Sequence, residues 1–155
     1  MTVAVNIMHH LQILKHAYSM LGIIYLAFVL QSCATHPHKS VYEQVGGQAG
    51  IEKLSDAFID EIQYDKRILT YFLDTNIDRF REKFIEHICV HLDGPCTYSG
   101  DDMLSVHKGM NITEADFNRV VELMINAMTR TGISHHIQNQ VLAKLAPMRG
   151  EMIYH

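Results

Sequence analysis

The sequence has no tryptophan, only three prolines and only three cysteines in 155 residues. The cysteines form no CxxC pair and no ladder with histidines, so a structural zinc knuckle is not expected. Charged residues make up only 19% of the chain and positive charge is nowhere clustered, which excludes a basic nucleic-acid-binding surface. Nothing indicates a catalytic carboxylate pair or a Ser/His/Asp set, so hydrolase activity is disfavoured.

Hydrophobic residues are plentiful, at 48% of the chain, and the formal net charge is −4. This composition is typical of a globular protein rather than a disordered one. The length is sufficient for one well-packed domain but not for two. Eleven histidines are many for this length, so the placement of each one matters.

The N-terminal segment predicts export. Ala17 to Leu30 is an uncharged, mostly apolar run that is too short to span a bilayer comfortably but suits the apolar region of a signal peptide. The run ends in Leu30-Gln31-Ser32-Cys33, which resembles a bacterial lipobox. The alternatives are an ordinary anchor helix and a cleaved signal in which Cys33 is incidental.

We therefore predict a lipoprotein-type signal peptide over residues 1–32, a tether over 33–40 and a folded domain over 41–155. Cys33 is the expected lipidation site, and acyl chains there would provide the two or more membrane anchors that stable attachment needs. The long segment before the apolar run leaves the true start open among Met1, Met8 and Met20. The expected location is the periplasmic face of the envelope, at the outer membrane because Ala34 follows the cysteine.

The remainder of the chain has helical periodicity and no sustained alternation of period two. Four main helices are expected. Thr113, with Asp116 three residues later, is a weak capping box at the start of one of them, and Pro147 should kink or break the last one. The predicted fold class is therefore all-α. The first two apolar stripes comprise Ile51, Leu54, Phe58 and Ile62, and then Ile77, Phe80, Phe84, Ile88 and Leu92.

The connection between Gly94 and Thr113 contains 18 residues and only one short predicted turn, which is long for an ordinary helical bundle. That turn carries a single histidine, His107. A histidine in such a loop, opposite a helix face with Phe80 and Phe84, favours a flat apolar ligand held by one metal bond.

Several segments resemble the group I truncated haemoglobins, the two-over-two globins, over about residues 40–152. The N-terminal segment is similar to that of periplasmic, lipoprotein-type members. The matching segments are Ser40–Gly47 (SVYEQVGG), Gly94-Pro95 followed by Tyr98-Ser99-Gly100, Met103–Gly109 (MLSVHKG), Asn111-Ile112-Thr113 followed by Phe117, and Leu145–Arg149 (LAPMR).

The resemblance implies a truncated two-over-two globin fold and one haem b, with His107 as the proximal ligand of the iron. A neutral imidazole suits iron, and its second nitrogen can donate to a backbone carbonyl. Lys83 and Tyr98 are expected to meet the haem propionates. The other implied contacts are Phe58, Phe72, Phe80, Phe84, Met103, Ile112, Phe117 and Val120, with Met124 and Leu145 more simply explained as core residues.

The implied distal pocket departs from the family pattern. Ile59 stands where many members have a tyrosine, and Phe84 stands where a glutamine often occurs. The expected pocket, formed by Ile59, Phe80, Phe84, His87 and Val120, therefore has little to donate to bound oxygen, which predicts weak oxygen retention and easy autoxidation. Lys83 and His87 are candidate sixth ligands of the iron, and His87 is equally explained as a partly buried histidine.

Cys89 and Cys96 flank the Gly94-Pro95 turn. An oxidising periplasm would permit a disulfide between them, and seven residues of separation make its geometry feasible. Two free buried thiols are the alternative.

The resemblance implies reversible binding of oxygen, nitric oxide or carbon monoxide. Nitric oxide detoxification, peroxidase-like activity and redox sensing are further candidates, and the enzymatic ones need an external electron donor. A monomer is expected, because the apolar faces are all needed for core and cofactor. The alternative is an envelope-anchored helical adaptor that has lost haem, although a scaffold has no reason to place His107 in an exposed turn.

Overall fold

The structure, a computed structural model, describes residues 39–155. The predicted signal peptide, Cys33 and most of the predicted tether lie outside the described residues. Within residues 39–155, no helix has the length and apolar character needed to cross a membrane.

This part of the chain is all-helical and contains no strand, as the periodicity predicts. The seven α-helices are α1 (Val41–Gln44), α2 (Gly47–Tyr64), α3 (Ile77–His91), α4 (Met103–His107), α5 (Glu114–Arg130), α6 (His135–Leu145) and α7 (Arg149–Met152). Two 3₁₀ turns, Leu69–Phe72 and Ala146–Met148, complete the element order.

Helix α2 is the centre of the core, packing against both α3 and α5. It begins after Gly46, whose φ of 103° lies in the left-handed region that glycine adopts without steric cost. The predicted stripe of α2 is buried throughout, and burying each such side chain contributes about 1.5–3 kcal/mol. The residues of that stripe are Ile51, Leu54, Phe58 and Ile62.

Helix α3 buries Ile85, Ile88 and Cys89 and begins at a cap in which the Asn76 side chain accepts from the backbone N–H of Arg79. The predicted stripe is wrong at its start, since Ile77 is 42% exposed. The whole first turn, residues 77–79, lies in solvent and therefore has no core to contact.

A disulfide joins Cys89 to Cys96, with their Cα atoms 5.9 Å apart. It ties the buried face of α3 to the loop that leads to α4. Gly94 lies against this link, and a Cβ atom there would come within 2.6 Å of Cys89 Sγ. Together these contacts fix the start of the long connection between α3 and α5.

The start of α5 and the end of α6 both follow from signals in the nearby sequence. Thr113 and Asp116 form a capping box at the start of α5, each side chain meeting the other residue's backbone N–H. Pro147 ends α6 at Leu145 and falls in the following 3₁₀ turn, because proline cannot continue the α-helical ladder.

Candidate functional site

A cavity of about 590 Å³ lies between α2, α3, α4, α5 and the C-terminal segment. Its size is within the range of small-molecule and cofactor sites, and its wall is mostly apolar. Every residue that the resemblance assigns to the cofactor lines it: Phe58, Phe72, Phe80, Lys83, Phe84, Tyr98, Met103, His107, Ile112, Phe117 and Val120. His87, Met124 and Leu145 line it as well.

The exception is Ile59, the expected distal residue, which is half-buried but does not line the cavity. Its neighbour Phe58 does, and Phe58 is only 3% exposed. One residue along an α-helix rotates the side chain by about 100°, which is enough to turn Ile59 away from the cavity. The distal wall at this point is therefore formed by Phe58.

Aromatic rings build one wall of the cavity. Phe58 stacks on Phe84 at 5.0 Å between ring centroids, and Phe84 stacks on Phe80 at 5.5 Å. Phe72, on the 3₁₀ turn, meets the Phe80 ring edge to face at 5.0 Å. These rings provide an apolar surface with no hydrogen-bond donor.

His107 is held in one tautomer by its own helix. Its Nδ1 lies 2.7 Å from the backbone carbonyl oxygen of Met103, four residues earlier in α4. A carbonyl only accepts, so Nδ1 carries the proton and Nε2 keeps its lone pair. Asp102 begins this short helix by accepting from the backbone N–H of Ser105. His107 therefore presents a metal-ligating nitrogen to a cavity it lines.

Lys83 is engaged by acidic neighbours. Its Nζ lies 2.7 Å from Glu82 Oε1 and 3.1 Å from Glu86 Oε1, and it donates to Ser99 Oγ at 2.7 Å. The hydrogen bonds to Glu82 and then Glu86 raise the pKa of Lys83, so its side chain stays protonated. A metal ligand must lose its proton, so this arrangement disfavours Lys83 as a sixth ligand and suits it to bind an anion at the rim.

His87 lies in the cavity wall and is 8% exposed. Its ring centroid is 4.4 Å from that of His91 and 5.2 Å from that of Tyr98. Burial, followed by the charges of His91 and His107, lowers the pKa of His87 to about 4. Its Nδ1 is buried without a hydrogen-bond partner in the described part of the chain. The ring is therefore neutral at pH 7.

One end of the cavity has a polar group that the sequence did not single out. The Asp116 carboxylate, 6% exposed, accepts from Thr113 and from Arg67 Nε at 2.5 Å. These contacts, Thr113 first, hold the pKa of Asp116 well below its usual range. The capping box was visible in the sequence, but nothing local indicated that Arg67, 49 residues away, completes the group.

The residues present fit a haem. The aromatic, apolar wall suits a porphyrin, and His107 offers a neutral nitrogen with its second nitrogen anchored to a carbonyl, the arrangement that metal-ligating histidines use. Charged and polar groups that could meet carboxylates, including Arg79, Lys83, Tyr98 and Arg149, also line the cavity.

Comparisons with known proteins agree with this geometry. The sequence model described as bacterial-like globin matches residues 40–154. The group 1 truncated hemoglobin GlbN of Mycolicibacterium paratuberculosis is 29% identical over 113 residues, covering 73% of this chain and 83% of that protein. The group 1 truncated hemoglobin of Tetrahymena thermophila is 30% identical over 98 residues, 63% of this chain and 81% of that protein.

The fold is shared with solved structures. The crystal structure of truncated hemoglobin from Tetrahymena pyriformis in its Fe(III) form has a TM-score of 0.73 and 23% sequence identity, covering 76% of this chain and 100% of that one. The match confirms the two-over-two helical fold that the resemblance implies.

Proposed function

Because this chain belongs to the bacterial-like globin family and is a group I truncated haemoglobin, we propose that it binds one haem b through His107 and reversibly binds diatomic gases. The observation that carries the proposal is the tautomer of His107. Its Nδ1–H donates to Met103 O at 2.7 Å, which leaves Nε2 free at an apolar cavity of haem-compatible size.

A haem held by His107 would supply the iron at which oxygen, nitric oxide or carbon monoxide binds, and the residues around it would determine how long the ligand stays. The wall formed by Phe58, Phe80 and Phe84 is apolar and donates no hydrogen bond. A donor to a polarised ligand typically contributes about 1.5–3 kcal/mol, so its absence favours weak oxygen retention and leaves carbon monoxide, which is less polarised, little affected.

A rapid-turnover role is consistent with such a pocket. We propose nitric oxide detoxification or redox sensing as the physiological role, with peroxidase-like activity as the other enzymatic candidate. The enzymatic roles draw electrons from an external donor, since the sequence has no flavin- or nicotinamide-binding motif. The Cys89–Cys96 disulfide supports an oxidising compartment.

The proposed location is the periplasmic face of the envelope, with Cys33 lipidated and residues 1–32 removed. The supporting observations are the apolar run, the lipobox-like sequence and the disulfide. Mass spectrometry of the protein from a bacterial membrane fraction tests this directly. A diacylglyceryl adduct on Cys33 that is lost in Cys33→Ala supports the proposal, whereas an unmodified cysteine in the membrane-extracted protein contradicts it.

The test of haem binding is a visible absorption spectrum of residues 34–155 produced with haem supplied, in the ferric state and in the ferrous state with and without carbon monoxide. We expect a Soret band that shifts with carbon monoxide and is lost in His107→Ala. His135→Ala is the matched control, because His135 is an exposed histidine at the start of α6. A folded helical protein that takes up no haem would instead support the adaptor hypothesis.

A further inference from the structure

His87 is a buried imidazole with an unsatisfied nitrogen. Its Nδ1 has no hydrogen-bond partner among the described residues, although only 8% of the residue is exposed. Buried polar groups are nearly always paired, so an unpaired one in a binding cavity calls for an explanation. The ring of His87 packs on those of His91 and Tyr98.

The burial of Nδ1 decides which nitrogen carries the proton. A neutral imidazole has one N–H and one lone pair, and an orphaned buried N–H is rarer than an under-satisfied acceptor. The proton therefore belongs on Nε2, and Nδ1 keeps the lone pair. Because Nδ1 is sealed off and the ring lines the cavity, Nε2–H is the group that a molecule in the cavity can reach.

The two histidines of the cavity are thus arranged for opposite tasks. His107 donates Nδ1–H to Met103 O, as metal-ligating histidines do, and so presents a lone pair at Nε2. His87 lacks any such acceptor for Nδ1, so ligation through Nε2 would leave a buried N–H unpaired. This contrast argues against His87 as the sixth ligand and in favour of a hydrogen-bond donor.

We propose that His87 is a positioning residue for the haem, donating a hydrogen bond from Nε2 to a haem carboxylate. The inference rests on the proposed haem binding. A haem offers two carboxylates as its strong acceptors, and those groups are drawn to the polar part of the wall. His87 is at that part: its ring meets Tyr98, and Lys83 lines the cavity one helical turn earlier in α3.

The experiment combines a protein change with a matched change in the cofactor. Wild type and His87→Phe are each loaded with haem or with haem dimethyl ester, which lacks free carboxylates, and haem dissociation is timed by transfer to excess apomyoglobin. With haem, we expect His87→Phe to dissociate roughly tenfold to a hundredfold faster, as for loss of a charge-assisted hydrogen bond. With the dimethyl ester, the two proteins should dissociate at the same rate.

Further variants test whether the change in haem dissociation is specific to the N–H group of His87. His91→Phe is the matched control, because His91 contacts the His87 ring but does not line the cavity, and its haem loss should equal that of wild type. His87→Gln keeps an N–H donor and should recover part of the lost retention. If His87→Phe fails to fold, His87→Leu, which also lacks a donor, replaces it in the comparison.

The haem-free protein provides an independent readout. His87→Phe removes the orphaned nitrogen, so the apo variant should unfold at a higher urea concentration than apo wild type, although the holo variant loses haem faster. Opposite effects of one substitution on the two forms distinguish haem positioning from a structural role.

Three results would overturn the inference: unchanged haem loss in His87→Phe, an equal acceleration with the dimethyl ester, or a low-spin ferric spectrum that depends on His87. The last would make His87 an iron ligand. Failure of wild type to bind haem through His107 would refute the proposed function itself, so the two failures are separable.

Discussion

Removing the disulfide should destabilise the domain by an amount set mainly by the size of the loop it closes. Cys89 and Cys96 are separated by 7 in sequence, so the closed loop contains about eight residues, and the chain-entropy relation gives about 2.5 kcal/mol. For a domain of this size that corresponds to a decrease in Tm of about 10 °C. The change is Cys89→Ala with Cys96→Ser, which matches the full burial of the first cysteine and the partial exposure of the second.

Urea unfolding of the apoprotein, followed by far-ultraviolet circular dichroism, measures the free energy of unfolding. Wild type treated with a dithiol reductant should move towards the double variant, and the reduced variant should not change further. Cys33→Ser is the control for the third cysteine of the chain. A loss below about 0.5 kcal/mol, or no effect of reduction on wild type, would refute the entropic reasoning.

Three further predictions concern the cavity and its surroundings. Phe84→Gln should slow oxygen dissociation by about tenfold or more by adding a hydrogen-bond donor to the cavity wall, whereas Ile59→Tyr, outside the cavity, should leave the oxygen dissociation rate unchanged. Stopped-flow replacement of oxygen by carbon monoxide measures both rates, and the reverse ranking would contradict the assignment of Phe84 to the wall. Asp116 has a lowered pKa in the folded state, so its contribution to the free energy of unfolding is complete above the unfolded pKa of about 3.9 and is lost as pH falls below it. Asp116→Asn should cost about 1–3 kcal/mol at pH 7 and make the stability of the apoprotein less dependent on pH in acid. An unchanged acid dependence would contradict the assigned contacts of Asp116. The pKa of His87 in the apoprotein is lowered to about 4 by burial and by His91 and His107. The unfolded state therefore binds more protons, and stability is lost as pH falls from about 6.5 to about 4. Nuclear magnetic resonance titration of the His87 ring measures this pKa, and a value near 6.5 would contradict the prediction.

Much of the fold was readable from local patterns. The stripe on α2, the capping box at Thr113 and the break at Pro147 each depend on residues within a few positions of one another, and all three occur as predicted. The stripe on α3 was wrong only at Ile77, where a helix continues beyond the core. Periodicity identifies a face but does not reveal where along the helix the neighbouring elements stop.

Some residues of the candidate site could likewise be predicted from the sequence, and others could not. The sequence alone, through motif and resemblance, indicated His107 and the aromatic residues Phe80 and Phe84, because these features lie in short contiguous segments. The tertiary structure alone decided that Ile59, expected in the distal pocket, does not line the cavity, whereas its neighbour Phe58 does.

The hydrogen-bond partners of these side chains could not be predicted from the sequence either. Lys83 is engaged by Ser99 from a loop 16 residues away, and Asp116 by Arg67 from 49 residues away. Within residues 39–155, His87 has no partner for Nδ1, which becomes apparent only when the elements packed around it are in place. Local order follows from nearby residues, whereas protonation state and donor direction depend on burial and on groups that folding brings together from distant parts of the chain.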